Sequence, residues 1–259
     1  INTFIETRNI ARCRKVHRDI HNLYRIDASQ YDEDHKLVIR RIYDMIPSNL
    51  ENKKKRVIVK NISEGTGHRS FADYADEFEY LINSGIALSV HAISNPHFPL
   101  SESEQKNLLK LYLNDVGLLT SILYDTNVNA ILHDDCSINL GTVYESVVAQ
   151  ELHAHGYKLY YFDNKKKGEV DYLIDNYDSL QALPLEIKSG KDYKVHSALD
   201  NFLSTPLYNI HRAIVFCNER EVKEENGITY MPVYYSMFLH KSQQDADELT
   251  LPVILPPKI

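Results

Sequence analysis

Gly168-Glu169-Val170-Asp171-Tyr172-Leu173-Ile174 and Leu183-Pro184-Leu185-Glu186-Ile187-Lys188-Ser189 are two apolar runs broken by charge, separated by the polar stretch Asp175-Asn176-Tyr177-Asp178-Ser179. Short runs of this composition read as strands, and the polar stretch between them reads as the reversal of an antiparallel hairpin. Side chains alternate faces along a strand, so Glu186 and Lys188 point the same way while Leu185 and Ile187 point the other. The hairpin then carries Asp171 alongside both. Gly168, lacking a Cβ, permits close backbone approach just before the acidic strand.

Two carboxylates placed this close favour a hard divalent cation, because alone they repel and one of them takes a proton. Mg²⁺ or Mn²⁺ needs few protein ligands when waters fill the remaining positions. Asp171, Glu186 and the backbone carbonyl of Ile187 suffice as a ligand set. Such an ion would stabilise charge on a phosphate and help ionise a water. Lys188 would orient that water or offset charge in the transition state. The plain alternative is a surface hairpin with a structural carboxylate–lysine pair, since such i,i+2 pairs are common.

Upstream, the spacing predicts a helix from Gly141 to His155, closed by Gly156. On it Glu151 shares helical spacing with Tyr144, Val147, Val148 and His155, which places it on the apolar side, where a carboxylate needs a partner. Glu145 falls nearer the margin, able to reach the hairpin or to stay solvated. The order then continues with strands at Lys158–Phe162, Glu169–Ile174 and Ala182–Ile187, a helix over Val195–Ser204, a strand at Ala213–Cys217 and an extended stretch at Tyr230–Tyr234. That is the layer pattern of a compact α/β unit.

The first ~130 residues read as mostly helical. Phe4–Tyr24 carries Ile10, Cys13, Val16, Ile20 and Leu23 near a helical period. Leu37–Ile46 repeats the theme until Pro47, which is expected to stop it. A third helix starts near Ser70 as its cap, runs through Phe71, Tyr74, Phe78, Leu81 and Ile82, and ends at Gly85. Ile86–Val90 and Leu108–Leu113 then flank a Pro/Ser loop at Asn95–Ser103, which suits the wing of a winged-helix module. Leu108–Leu113 could also be helical, with Ser101 and Glu104 as a capping box, but is read as a strand. Asp115–Tyr124 reads as a short helix. The polar segment Thr126–Asn139 is the favoured boundary, giving a helical, winged-helix-like region over 1–130 and an α/β region over 131–259.

Composition narrows the classes further. The 259 residues carry a net charge of −7, which argues against a strongly basic DNA-coating protein. No apolar run approaches the roughly 20 residues that a membrane span needs. Cys13, Cys136 and Cys217 are odd in number and widely spaced, so no disulfide or cysteine-based zinc framework follows, and a reducing, cytoplasmic setting is the simplest reading. Cys217, after Ala213-Ile214-Val215-Phe216, reads as a buried thiol. The chain lacks a secretory leader and an initiator Met, which fits a fragment of something longer. His17 and His21 lie one helical turn apart but lack a third ligand, and read as a surface pair. His153 and His155 diverge. The cluster Lys53-Lys54-Lys55-Arg56 reads as a solvated loop. Lys165, Lys166 and Lys167, with Lys188, Lys191 and Lys194, could line a phosphate-backbone track beside the acidic centre. Glu64-Gly65-Thr66-Gly67-His68-Arg69 lacks the lysine and spacing of a phosphate loop and reads as an ordinary loop.

The order of a helix glutamate, an Asp strand and a Glu-x-Lys strand resembles the PD-(D/E)xK nuclease superfamily. More narrowly, Gly141-x-x-Tyr144-Glu145-x-x-Val148-x-x-Glu151-Leu152, Gly168-Glu169-Val170-Asp171 and Glu186-Ile187-Lys188 are similar to the DUF4143 domain found toward the carboxy terminus of prokaryotic AAA-type ATPases. Lys110-Leu111-Tyr112-Leu113-Asn114-Asp115-Val116-Gly117-Leu118-Leu119 matches that family as well, so the resemblance covers nearly the whole chain. It implies a restriction-endonuclease-like fold after the winged-helix-like region, with Glu145, Asp171, Glu186 and Lys188 as the nuclease-like positions. It also implies an ATPase part upstream, where ATP would bind. Val170 replaces the proline that the superfamily's name records. Two functions are expected: divalent-metal cleavage of DNA (less readily RNA), or a catalytically silent nuclease fold that binds nucleic acid or protein and regulates the ATPase.

Overall fold

The computed structural model describes residues 1–31, 36–52, 55–62, 70–124 and 140–241. The expected boundary at Thr126–Asn139, Cys136, Lys53, Lys54 and the Glu64–Arg69 loop lie outside them. Seven helices among the described residues matter here: α1 (Asn2–Thr7), α2 (Ile10–Tyr31), α3 (Lys36–Glu51), α4 (Ala75–Asn83), α5 (Val116–Leu123), α6 (Gly141–Ala154) and α7 (Ser197–Leu203). The strands are β1 (Ala87–Ile93), β2 (Glu104–Leu113), β3 (Leu159–Asn164), β4 (Gly168–Asn176), β5 (Gln181–Ile187), β6 (Ala213–Cys217), β7 (Lys223–Glu225) and β8 (Ile228–Pro232).

All eight strands form one mixed sheet in the order β2-β1-β3-β4-β5-β6-β8-β7. The mixed α/β class read from the sequence therefore holds. The Ile86–Val90 and Leu108–Leu113 segments are strands that pair antiparallel, Leu88 opposite Tyr112. β1 also runs parallel to β3, Val90 opposite Leu159, so the sheet joins strands on both sides of the 125–139 segment. The largest apolar cluster does the same, packing Ile42, Ile46 and Leu50 of α3 with Val90, Tyr112, Val148, Leu152 and Tyr172.

Local chemistry explains where the helices begin and end. The first predicted helix is two, because Arg8 adopts a left-handed φ of 50° and ends α1. The Asn9 side chain then accepts from Arg12 N at 3.1 Å and starts α2. Pro47 does not stop α3, which continues to Glu51. An interior proline costs about 3 kcal/mol or more. The apolar face of Ile39, Ile42, Tyr43, Ile46 and Leu50, all essentially inaccessible, offsets that cost. Ser70 and Asp73 form a capping box ahead of α4 through a short 3₁₀ turn. Gly85 closes that helix at a φ of 71°. Asp115 caps α5 by accepting from Leu118 N at 3.1 Å. No described helix is long and apolar enough to cross a membrane.

Candidate functional site

β4 is not a plain strand at Asp171. Its pairing with β3 sets Leu173 opposite Tyr160 but Val170 opposite Phe162, so Asp171 and Tyr172 together face the single residue Tyr161. This is a β-bulge, a device that re-aims a side chain out of strict alternation. Packing records the same phase shift, with Val170 and Leu173 in the cluster around Phe202 and Tyr172 and Ile174 in the larger cluster. On the other edge β4 pairs with β5, Tyr172 opposite Leu185. One step further the same register sets Asp171 across from Glu186. There the Asp171 carboxylate accepts the Ile187 N–H at 2.9 Å. Gly168 opens β4 with a φ of 93°, and a Cβ there would lie 2.8 Å from the Ala198 Cβ of α7. The close approach expected at this glycine is real.

Glu186 and Lys188 share a side, their Nζ and Oε1 atoms 2.8 Å apart. Glu186 is 6% exposed, and its Oε2 is buried with no hydrogen-bond partner among the described residues. Burial, reinforced by the Asp171 charge, pushes its carboxyl up to about 8. Burial works against the Lys188 ammonium, but Glu186 and Asp171 hold it above the ordinary lysine range.

Glu145 and Glu151 exchange the roles read from helical spacing. Glu145 is 5% exposed, whereas Glu151 is only partly buried. The Glu145 side chain takes an ion pair from Lys55 on one oxygen and the Tyr112 hydroxyl at 3.3 Å on the other. Tyr172, its ring tilted against that of Tyr112, donates to the Glu145 carbonyl at 3.1 Å. Burial and the neighbouring Asp171 raise the Glu145 carboxyl, while Lys55 and Lys110 oppose that shift.

Lys55 is the residue that sequence reading missed. It does not belong to a solvated loop: its side chain is 22% exposed and its ammonium sits on Glu145. Burial alone would lower that ammonium, yet Glu145 and Asp171 hold it above its ordinary value. Lys55 takes a left-handed φ of 51°, uncommon for a residue with a Cβ and a feature that recurs at functional sites. Beside it Arg56 reaches Asp163 at 3.8 Å. Lys110, with no exposed surface, pairs with Glu169 and lies 4.4 Å above the Tyr161 ring. No signal in the sequence linked these cations to acids that lie 59 to 107 positions away.

The expected lysine track is uneven. Lys165, Lys166 and Lys191 are exposed. Lys167 is held by the Tyr208 hydroxyl at 3.0 Å and packs on that ring, and Lys194 is paired with Glu225 at 2.7 Å. His21 is not a surface residue. It is 5% exposed, bonded to Tyr43 and, through Nε2, to Ser121 at 3.1 Å. Cys217 is fully buried, as expected.

Among the described residues no group of three or more His, Cys, Asp or Glu side chains is disposed to hold a metal ion. Mg²⁺ binds through one or two carboxylates and keeps its waters. The orphaned Glu186 Oε2, on the residue across the strand pair from Asp171, fits that smaller requirement, whereas both Glu145 oxygens are taken.

Residues 140–235 match the family model of a domain of unknown function, DUF4143. The DUF4143 match holds Glu145, Asp171, Glu186 and Lys188 but stops short of Lys110–Leu119. Residues 1–129 match a different model, another domain of unknown function, DUF8612. The resemblance drawn from sequence is thus supported over the carboxy-terminal segment only. Neither the curated proteins nor the solved structures contain a match. The acids of the site come from the DUF4143 segment, and Lys55, Lys110 and Tyr112 come from the DUF8612 segment.

Proposed function

We propose that this chain carries a divalent-metal-dependent phosphodiesterase centre acting on DNA. The observation that supports it most is the buried Glu186 Oε2, without a partner among the described residues, on the strand position across from Asp171, with Lys188 on the companion oxygen. A buried carboxylate oxygen without a partner costs free energy unless a cation or donor completes it. Asp171 and Glu186, with the Ile187 carbonyl, would hold Mg²⁺ or Mn²⁺. When bound, such an ion supplies Lewis-acid stabilisation of phosphate charge and a more acidic water. Lys188, paired with Glu186, would orient a water or offset charge on the phosphate in the transition state. The Ile187 N–H fixes the Asp171 carboxylate, which limits the rotamers open to it. The exposed Lys165, Lys166 and Lys191 would follow the phosphate backbone.

The test is cleavage of single- and double-stranded DNA with Mg²⁺ or Mn²⁺, comparing wild type with Asp171→Ala and Lys188→Ala. Each substitution is expected to lower the rate by about 10²–10³-fold, the scale of losing one charge-stabilising group. Activity that both variants retain would remove the site from consideration. Neutralising Lys165, Lys166 and Lys191 should weaken DNA binding and flatten its salt dependence.

A second reading has its own support. Glu145, Glu186 and Glu169 each already hold a lysine, which suits a catalytically silent fold that binds nucleic acid or protein. In either case the resemblance to the carboxy-terminal regions of AAA-type ATPases suggests an ATPase part of the same longer chain as partner. The winged-helix-like and endonuclease-like assignments, and a cytoplasmic setting, belong to this proposal.

A further inference from the structure

The three acids of the centre are not equivalent. Glu145 has both oxygens occupied, by the Lys55 ammonium and the Tyr112 hydroxyl. Glu186 has one oxygen on Lys188 and one buried without a partner. Asp171 spends one oxygen on the Ile187 N–H. The oxygens left open to a cation therefore belong to Asp171 and Glu186, while the position beside Glu145 already holds a positive charge.

Charge count gives the same answer. Once a bound cation has displaced any carboxyl proton, Glu145, Asp171 and Glu186 as carboxylates against Lys55 and Lys188 as ammoniums leave one net negative charge before the ion's own charge is added. A single dication turns that into one net positive charge. A second would leave a largely buried centre three units positive, which desolvation strongly disfavours. Lys55 is not placed there by a neighbouring strand of the sheet. It arrives from the other family segment, 90 positions before Glu145, in a left-handed backbone conformation.

We propose that Lys55 is a built-in cation standing where a second metal ion would otherwise bind at Glu145, so that the centre takes one divalent ion, held by Asp171 and Glu186. This rests on the metal-site reading above and extends it to stoichiometry. Lys55 is then a positioning residue: it fixes Glu145 and confines the ion to the Asp171 side. The DUF8612 segment thereby completes a centre whose acids all lie in the DUF4143 segment.

The experiment counts Mn²⁺ bound per chain by isothermal titration, with electron paramagnetic resonance to detect coupled Mn–Mn pairs. It needs no substrate. Wild type is expected to bind one ion with an uncoupled signal. Lys55→Gln should bind one more, with a coupled signal, and Lys55→Gln combined with Glu145→Gln should return to one. Two ions in wild type, or equal counts in wild type and Lys55→Gln, would overturn the proposal while leaving the metal site standing. No ion in any of the three proteins would overturn both. Because Lys55→Gln leaves Glu145 buried without its cation and can fail to fold, the wild-type count decides by itself: two coupled ions reject the idea.

Discussion

The juxtaposition of Glu186 and Lys188, with Asp171 alongside, was legible because strand alternation and a hairpin reversal are local signals and acids beside a lysine are chemically conspicuous. Lys55 was not legible. A lysine in a basic run looks solvated, and only tertiary packing brings it 90 positions forward onto Glu145. Helical spacing likewise misjudged Glu145 against Glu151: it reports angle around a helix and carries no information on what a distant lysine and tyrosine will cover. The Lys55–Glu145 pair is also a stability element. Removing one partner of a buried pair typically costs about 3–5 kcal/mol, because the other charge stays behind uncompensated. Lys55→Met is expected to fall in that range by urea denaturation, and adding Glu145→Gln should recover most of the loss. An additive double variant would show that the two side chains do not interact.

At the scale of elements, most helices and strands were readable, since periodicity and capping residues are local. The exceptions have identifiable causes. Arg8 splits one expected helix, Pro47 is carried within α3 by its apolar face, and the short exposed strand β7 offers no burial pattern to detect. The bulge at Asp171 was invisible too, because its cause is the register with β3. Gly168 sets how closely β4 approaches α7. Gly168→Ala should destabilise by about 1–3 kcal/mol, from the positive φ and a clash with Ala198. A lower denaturation midpoint with an unchanged slope would be the signature, and an unchanged midpoint would contradict it.

His21, joining α2 to α3 and α5, carries a pH dependence. Burial, with the nearby Arg25 charge, lowers its imidazole below the ordinary 6.5, against the opposing pull of the Leu118 carbonyl. The unfolded chain therefore takes up this proton before the folded one does. The stability it contributes is complete above pH 6.5 and declines as pH falls from there through the lowered folded value. Measured by thermal denaturation, His21→Gln should be less stable at neutral pH and lose less on acidification. Parallel curves for the two proteins would rule this coupling out.

Over the whole molecule, one sheet and one main core span two segments that match two different family models. The sequence could show an α/β pattern after residue 140 but not that β1 and β2 extend the same sheet, because β1 joins it through a parallel pairing with β3 across 69 positions. That pairing places Lys110 and Tyr112 of β2, and Lys55 beside them, over acids supplied by β4 and α6. The net charge of −7 means that, under the proposed function, a nucleic acid would have to be held by local groups such as the exposed Lys165, Lys166 and Lys191 and by the proposed ion. The account turns on that ion. Crystals soaked in Mn²⁺ and measured for anomalous scattering should show one peak within coordination distance of the Asp171 and Glu186 carboxylates, absent from Asp171→Asn crystals. Well-ordered crystals with no peak there, or with the ion seated on Glu145 instead, would contradict it.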